Sequence, residues 1–291
     1  MPGRSLQDQK AKARNLKRCY YYIATMGTLL DSSTYPYEKG YSSVNGINMY
    51  YEKYGTGKPL VLIHGGGSTI QTTFGTIIPL LVKHRNVIAM ELQAHGRSSD
   101  RNQDSSFEQD ADDVAGLLKN LNIEKAEIFG FSNGGTTAVQ MAIRHPKLVV
   151  KLVLAAALCT RDGVAPSFWD FMKHASLENM PQQLQNAFLA VVPDTEKLKI
   201  MHNRDAKRMV NFEDIPNENI SVIKSPALII VGDKDVIKPE HAIKMFRQME
   251  NAELVIIPGI HGEYIGEITT LHLGSNLTPL VVPLILHFLD K

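Results

Sequence analysis

Ser132 stands in the run Gly130-Phe131-Ser132-Asn133-Gly134, a G-x-S-x-G pattern with the apolar residues Ile128 and Phe129 before it and Gly135 behind it. A serine held on a sharp strand-to-helix turn needs neighbours without bulk, because side chains two positions away on either side would collide. Gly130 and Gly134 leave that space. The helix expected behind the serine brings amide hydrogens and a favourable dipole to the reacting centre. A serine hydroxyl is a poor nucleophile at its own pKa, so it requires a base within hydrogen-bond reach, and the base requires a third group that fixes its tautomer. Among ten histidines, His261 is selected because Ile257-Pro258-Gly259-Ile260-His261-Gly262 sets it just past the last apolar run. If the strands are parallel, that is the same sheet edge as Ser132. The carboxylate is expected from Gly232-Asp233-Lys234-Asp235, at the end of the preceding run. Asp235 is the first choice; Asp233 is the rival, able instead to cap the turn, and Asp162 is a more distant alternative.

Negative charge that develops on a substrate oxygen must meet donors already in place. His64-Gly65-Gly66-Gly67 follows an apolar run, and its glycines let backbone N–H groups approach a ligand closely. The N–H groups of Gly66 and Asn133 are the expected oxyanion hole. His64 is read as structural rather than as a proton carrier. A phosphate cradle is disfavoured, since neither the G-K-[ST] ending of a P-loop nor G-x-G-x-x-G occurs. H-E-x-x-H is absent and the histidines and acids are scattered, so no metal and no cofactor are expected.

The elements that must position these residues alternate in type. Continuous apolar runs at 60–63, 87–90, 126–129, 152–158, 227–231 and 254–257 read as strands buried on both faces. Residues 43–54, broken by Asn45-Gly46, read as an antiparallel hairpin. Between the runs lie amphipathic helices: Ala111, Val114, Ala115, Leu118 and Leu121 share one face, as do Ala138, Met141 and Ala142. A closing helix spans 279–288. The pattern implies an α/β fold, a mostly parallel central sheet with helices on both faces. Residues 161–224 interrupt it with helix-like pieces only, too long for a plain loop, and are expected to form a small helical insertion after the sixth strand. Residues 41–160 and 225–291 make the core, and 1–40 a basic N-terminal extension.

Composition narrows the partners. The chain has 291 residues, 44% hydrophobic and 21% charged, with 31 Lys and Arg against 30 Asp and Glu. A net charge of +1 supplies no field for nucleic acid or an acidic membrane. Two cysteines, Cys19 and Cys159, build neither a disulfide framework nor a metal site. Residues 19–30 loosely imitate an export signal, but three tyrosines and the lack of an A-x-A-like site favour a cytoplasmic protein. No run is long enough to span a membrane.

With nucleophile, acid and histidine in that order, the sequence resembles the α/β-hydrolase superfamily over roughly residues 41–291. Glu91-Leu92-Gln93-Ala94-His95-Gly96-Arg97-Ser98 is similar to the family's D-x-x-G-H-G-x-S loop, with Glu for Asp and Ala for Gly. The resemblance implies that His95 is structural and that 161–224 is a lid, in which Phe168, Trp169, Phe171 and Met172 either line the substrate pocket or pin the lid to the core. It departs from the family at Ile260, where relatives commonly carry Gly or Ser before the histidine. Serine at the nucleophile position disfavours the dehalogenase and epoxide-hydrolase types. The implied activity is hydrolysis of an ester-like bond in a small molecule, with lactonase, amidase and carbon–carbon hydrolase as alternatives. Acyl transfer to an alcohol or amine, and a ligand receptor with little turnover, are the rivals from other classes.

Overall fold

The computed structural model describes residues 36–291. The basic extension, its signal-like stretch and Cys19 fall almost wholly outside them. Strand β1 (Tyr37–Val44) and β2 (Ile47–Tyr54) form the expected hairpin, and Asn45 and Gly46 at its turn both take positive φ, 43° and 87°. A turn of that hand matches the twist of the paired strands. The hairpin begins at Tyr37, so the sheet reaches into the stretch assigned to the extension. Then follow β3 (Pro59–Ile63), β4 (Asn86–Met90), β5 (Ala126–Phe131), β6 (Val149–Ala155), β7 (Ala227–Gly232) and β8 (Ala252–Ile257). They form one sheet in the order β1-β2-β4-β3-β5-β6-β7-β8, antiparallel at the hairpin and at β2/β4 and parallel elsewhere.

Every residue of β5 and of β7 is buried. Successive side chains of a strand face opposite sides, so both faces of the sheet are covered. The covering helices of the core are α1 (Ile70–Phe74), α2 (Ile78–Leu81), α3 (Phe107–Asn120) and α4 (Asn133–Arg144). Between β6 and β7 lie α5 (Pro166–Lys173), α6 (Gln182–Val191), α7 (Thr195–Val210) and α8 (Asn217–Ser221). The core resumes with α9 (Pro239–Gln248) and closes with α10 (Thr278–Asp290). The starts of α3 and α7 are written locally. Ser106 accepts from Gln109 N–H ahead of α3, and Asp194 accepts from Glu196 and Lys197 N–H ahead of α7.

One apolar run ends earlier as a strand than its composition implies. The stretch 152–158 leaves the sheet after Ala155, because Ala156 turns the chain with φ 50°. Leu158 is then fixed by Thr136 of α4, whose hydroxyl donates to its carbonyl at 2.9 Å. Ala157 lies against Gly135 of the same helix, so the end of the run packs on α4 instead of extending the sheet.

The helical segment carries a small core of its own. Met180, Leu184, Phe188, Leu198 and Met201 cluster with Ala94 of the loop after β4. Its other end joins the main core through Trp169, which stacks on Phe212 at 5.7 Å and donates its indole N–H to the Arg161 carbonyl at 2.9 Å. Among the described residues no helix is long and apolar enough to cross a membrane.

At the sheet end opposite the serine turn, Arg85 Nε meets Glu127 at 2.7 Å, both side chains 5% exposed. Removing one partner of such a buried pair typically costs about 3–5 kcal/mol, whereas an exposed pair contributes about 0–1 kcal/mol. Urea unfolding should therefore show Arg85→Ala losing several kcal/mol and Arg144→Ala, from the solvent-facing pair with Asp112, losing little. Equal losses would mean that the Arg85 pair is not what holds that end.

Candidate active site

The C-terminal ends of β3, β5, β7 and β8 each deliver one part of the site. At the end of β5 the chain reverses on Ser132, with φ 55° and ψ −121°, a strained conformation for a non-glycine residue of order 1–3 kcal/mol. The turn is held by Ser132 N–H donating to the Ala155 carbonyl at 2.8 Å. It also requires its flanking glycines: a Cβ at Gly130 would lie 2.1 Å from the Gly134 carbonyl oxygen, and one at Gly134 2.0 Å from that of Ile63.

Ser132 Oγ lies 3.0 Å from His261 Nε2, and His261 Nδ1 lies 2.7 Å from Asp235 Oδ1. Nδ1–H donating to the carboxylate leaves the Nε2 lone pair facing the serine hydroxyl, the tautomer a general base needs. Asp235 is held in turn by Ile237 N–H, which donates to the same oxygen at 3.0 Å. The rival Asp233 accepts from Gly259 N–H at 2.9 Å while its own N–H donates to the Ile257 carbonyl at 2.8 Å. It ties together the two turns that carry Asp235 and His261. Those turns approach so closely at Gly232 that a Cβ there would stand 2.3 Å from the Gly259 oxygen. Asp162 pairs with Lys244 at 3.3 Å instead.

The His261 side chain is 31% exposed, and Asp235 is fully buried behind it. Burial alone would lower the pKa of the imidazole; the Asp235 charge and hydrogen bond, with a further contribution from Glu267, raise it above the ordinary histidine value. Phe131 lies against the ring at 4.7 Å.

The loop after β3 lies against the serine. A Cβ at Gly65 would be 3.4 Å from Ser132 Cβ, and one at Gly66 2.6 Å from Asn133 Nδ2. Gly65 N–H donates to Thr73 Oγ1 at 3.3 Å and Gly67 N–H to Asp205 Oδ2 at 2.6 Å. Among the described residues the Gly66 N–H between them makes no such bond. Asn133 N–H opens α4 and by helix geometry has no intrahelical acceptor. Two amide donors thus stand beside Ser132. His64 Nδ1 donates to the Gly65 carbonyl at 2.7 Å, and its Nε2 accepts from Leu92 N–H at 3.0 Å. Burial lowers its pKa to about 3, so it is neutral and shapes the loop.

The four aromatic and methionine positions singled out for the pocket wall behave differently from one another. Trp169 is spent on Phe212 and Arg161, Phe168 packs edge-on against Trp169 at 5.1 Å, and Met172 rests on the main core. Phe171 is 50% exposed. The segment reaches the glycine loop elsewhere: Met180 Cε and Leu184 Cδ1 would be 3.1 and 3.7 Å from a Cβ at Gly67. Met180, Leu184 and Asp205 are therefore site neighbours that sequence reading passed over. Asp205 did leave a signal, since it and Arg208 occupy the helix face of Leu198, Met201 and Met209, where core residues are expected. Glu267, buried beside the His261 turn, is another; the loop after β8 has no periodicity to betray it. Among the described residues no group of three or more His, Cys, Asp or Glu could hold a metal ion.

Comparison with known proteins agrees with this frame. The chain is 25% identical to serine hydrolase BPHL of Mus musculus over 252 residues, 81% of each protein. It is 39% identical to 2-hydroxymuconate semialdehyde hydrolase of Pseudomonas sp. strain CF600 over 113 residues, 38% of this chain and 40% of that one. Among solved structures, a meta-cleavage product hydrolase from Pseudomonas fluorescens IP01 superposes with a TM-score of 0.68 at 22% identity, covering 86% of this chain and 97% of the other. Residues 58–204, about half of the sequence, match the α/β hydrolase fold family. With that match on an eight-stranded, mostly parallel sheet carrying a serine turn, the chain belongs to the α/β-hydrolase fold family and is a hydrolase.

Proposed function

We propose that the protein is a serine hydrolase that cleaves an ester-like carbonyl bond of a small molecule through an acyl-enzyme. Ser132 attacks the carbonyl carbon, His261 accepts its proton and returns it to the leaving group, and Asp235 stabilises the imidazolium. The N–H groups of Gly66 and Asn133 receive the oxyanion. Water then repeats the sequence on the acyl-enzyme, with His261 as base and Ser132 as leaving group. What supports this reading above all is the unbroken line from Ser132 Oγ through His261 to Asp235, at 3.0 and 2.7 Å. The apolar Met180 and Leu184 next to the glycine loop favour a substrate with an apolar group on that side. Residues 161–224 act as the lid over it.

A second reading, hydrolysis of a carbon–carbon bond by the same relay, is favoured by the likeness to 2-hydroxymuconate semialdehyde hydrolase. A panel of p-nitrophenyl esters, lactones, amides and β-diketones separates the two by which class turns over.

Ser132→Ala should abolish covalent labelling by a fluorophosphonate and lower ester turnover by several orders of magnitude, while Asp235→Asn should lower kcat by about 10³–10⁴. Labelling that survives in the alanine variant would remove Ser132 from the role of nucleophile.

The base must be neutral to take a proton, so kcat/KM falls as pH drops through the pKa of His261. Because that pKa is raised, the acid limb should lie above the position of an ordinary imidazole, about 6.5. Glu267 contributes to the rise, so Glu267→Gln should move the limb to lower pH. A limb that stays in place would assign the rise to Asp235 alone.

A further inference from the structure

We infer that Asp205, which belongs to the helical segment and not to the core, is a positioning residue for the oxyanion loop. The inference rests on the Ser132 reading above and extends it. Three consecutive glycines have no side chains to pack, so the direction of the Gly66 N–H depends on how its neighbours are tied. On one side Gly65 N–H is bonded to Thr73 within the core, and on the other Gly67 N–H donates to Asp205 Oδ2 at 2.6 Å across 138 residues of sequence. The same oxygen lies 3.2 Å from where a Cβ on Gly66 would stand. Nothing else among the described residues accepts from Gly67 N–H.

A carboxylate in that place would oppose negative charge forming on the substrate unless its own charge were matched. It is matched twice. His95 Nε2 donates to Asp205 Oδ2 at 2.9 Å while Nδ1 donates to the Gln93 carbonyl at 2.9 Å, so both ring nitrogens donate and the ring is an imidazolium. Arg208, one turn along α7, bonds Asp205 Oδ1 and also Asp110 of α3. Two carboxylates and two cations alternate through these contacts, so the charge of Asp205 is compensated where it meets the loop. The loop that offers the oxyanion donor is thus held by the segment above it, and the donor is set when that segment is seated.

The test uses steady-state hydrolysis of a short p-nitrophenyl ester by the full chain, with melting curves for each variant. Removing a single oxyanion donor typically costs about 10²–10³ in kcat, and misdirecting one should cost less. Asp205→Ala is expected to lower kcat by about tenfold or more, with KM changed by less than about threefold because ground-state binding is spared. Asp205→Asn keeps an acceptor oxygen for Gly67 but turns its amide nitrogen toward Arg208 and loses the charge that matches His95 and Arg208, so it should recover kcat in part, to well above the value of D205A. Arg204→Ala removes the neighbouring ion pairs with Asp100 and Asp104 while Asp205 keeps its contacts with Gly67, His95 and Arg208 that seat the helix at the loop, and should leave kcat unchanged. The role of Asp205 is overturned by D205A at parental kcat, by D205N falling as far as D205A, or by R204A losing as much. If D205A does not fold, D205E replaces it, since it keeps the charge for Arg208 but displaces the oxygen from Gly67; the same loss is expected, and parental kcat overturns the role. Ser132→Ala is run beside them. Turnover that survives in S132A sinks the Ser132 reading and this inference with it, whereas turnover lost there with D205A at parental kcat overturns Asp205 alone.

Discussion

The register of parallel strands is the constraint from which the site follows. Phe131 at the end of β5 pairs with Ala155, Ala155 with Ile230, Ile230 with Val255, and Gly232 with Ile257. The turns of Ser132 and His261, 129 residues apart in sequence, and that of Asp235, 26 residues before His261, therefore emerge at one level of one sheet edge. A side chain leaving each turn needs to reach only a few ångströms to meet the next. A slip of one residue in any of these pairings would send the side chains of that strand to the other face and break the line. The continuous burial of β5 and β7 guards against such a slip only partly, since both faces are apolar. The turn contacts add the specificity: Ser132 N–H to Ala155, Ala156 N–H to Ile230, and Asp233 bonded both ways to the turn after β8.

The strain at Ser132 is sustained by that same scaffold. A non-glycine residue at φ 55° persists only where its surroundings over-determine it. Here the surroundings are backbone: the carbonyls of Gly134 and Ile63 occupy the space that side chains at Gly130 and Gly134 would need. The loop after β4 shows the same solution at lower stringency. Ala94 takes φ 64° at the position where the D-x-x-G-H-G-x-S pattern that this loop resembles has glycine, and Glu91 stands at that pattern's aspartate. The longer carboxylate accepts from Arg97 N–H at 2.6 Å and from its guanidinium at 2.6 Å, closing the loop around Gly96. The Ala94 methyl then joins the apolar cluster of the helical segment, so a position strained in the backbone is compensated by packing.

The fold and the serine turn were legible because they are written in local sequence. Buried strands read as uninterrupted apolar runs, and G-x-S-x-G is recognisable because steric exclusion at Gly130 and Gly134 permits no other residue. Asp235 and His261 were legible from their place after apolar runs. What separates Asp235 from Asp233 is the direction of two side chains in one turn, which five residues of sequence do not encode. The helical segment was legible as an interruption but not in its contacts. Phe168, Trp169, Phe171 and Met172 drew attention by size, yet Trp169 stacks on Phe212, more than forty residues away. Met180, just ahead of α6, and Leu184 within it approach the glycine loop, yet in sequence nothing distinguishes them from ordinary apolar packing residues. Tertiary contacts of an insertion depend on how it docks, and docking is set by the surface of the core rather than by the insertion's own periodicity.

That docking surface is unusual in its chemistry. Apolar contact with the loop region comes from Met180, Leu184, Phe188, Leu198 and Met201, while one turn further along α7 the contact is ionic, through Asp205 and Arg208. Burial pushes Asp110 up to about 6 against the pull of Arg208. Asp205, although burial works to raise it, is held well below the usual carboxylate range by His95 and Arg208. A buried ionic network contributes little net stability compared with apolar residues of the same volume, because each charge must be stripped of water. What it adds is a single allowed seating: a helix shifted along its axis could still find apolar neighbours, but it could not keep Arg208 on Asp110 and Asp205 on both His95 and Gly67. The apolar half of the interface supplies the drive to dock, and the charged half fixes the register of the docked helix against the loop it serves.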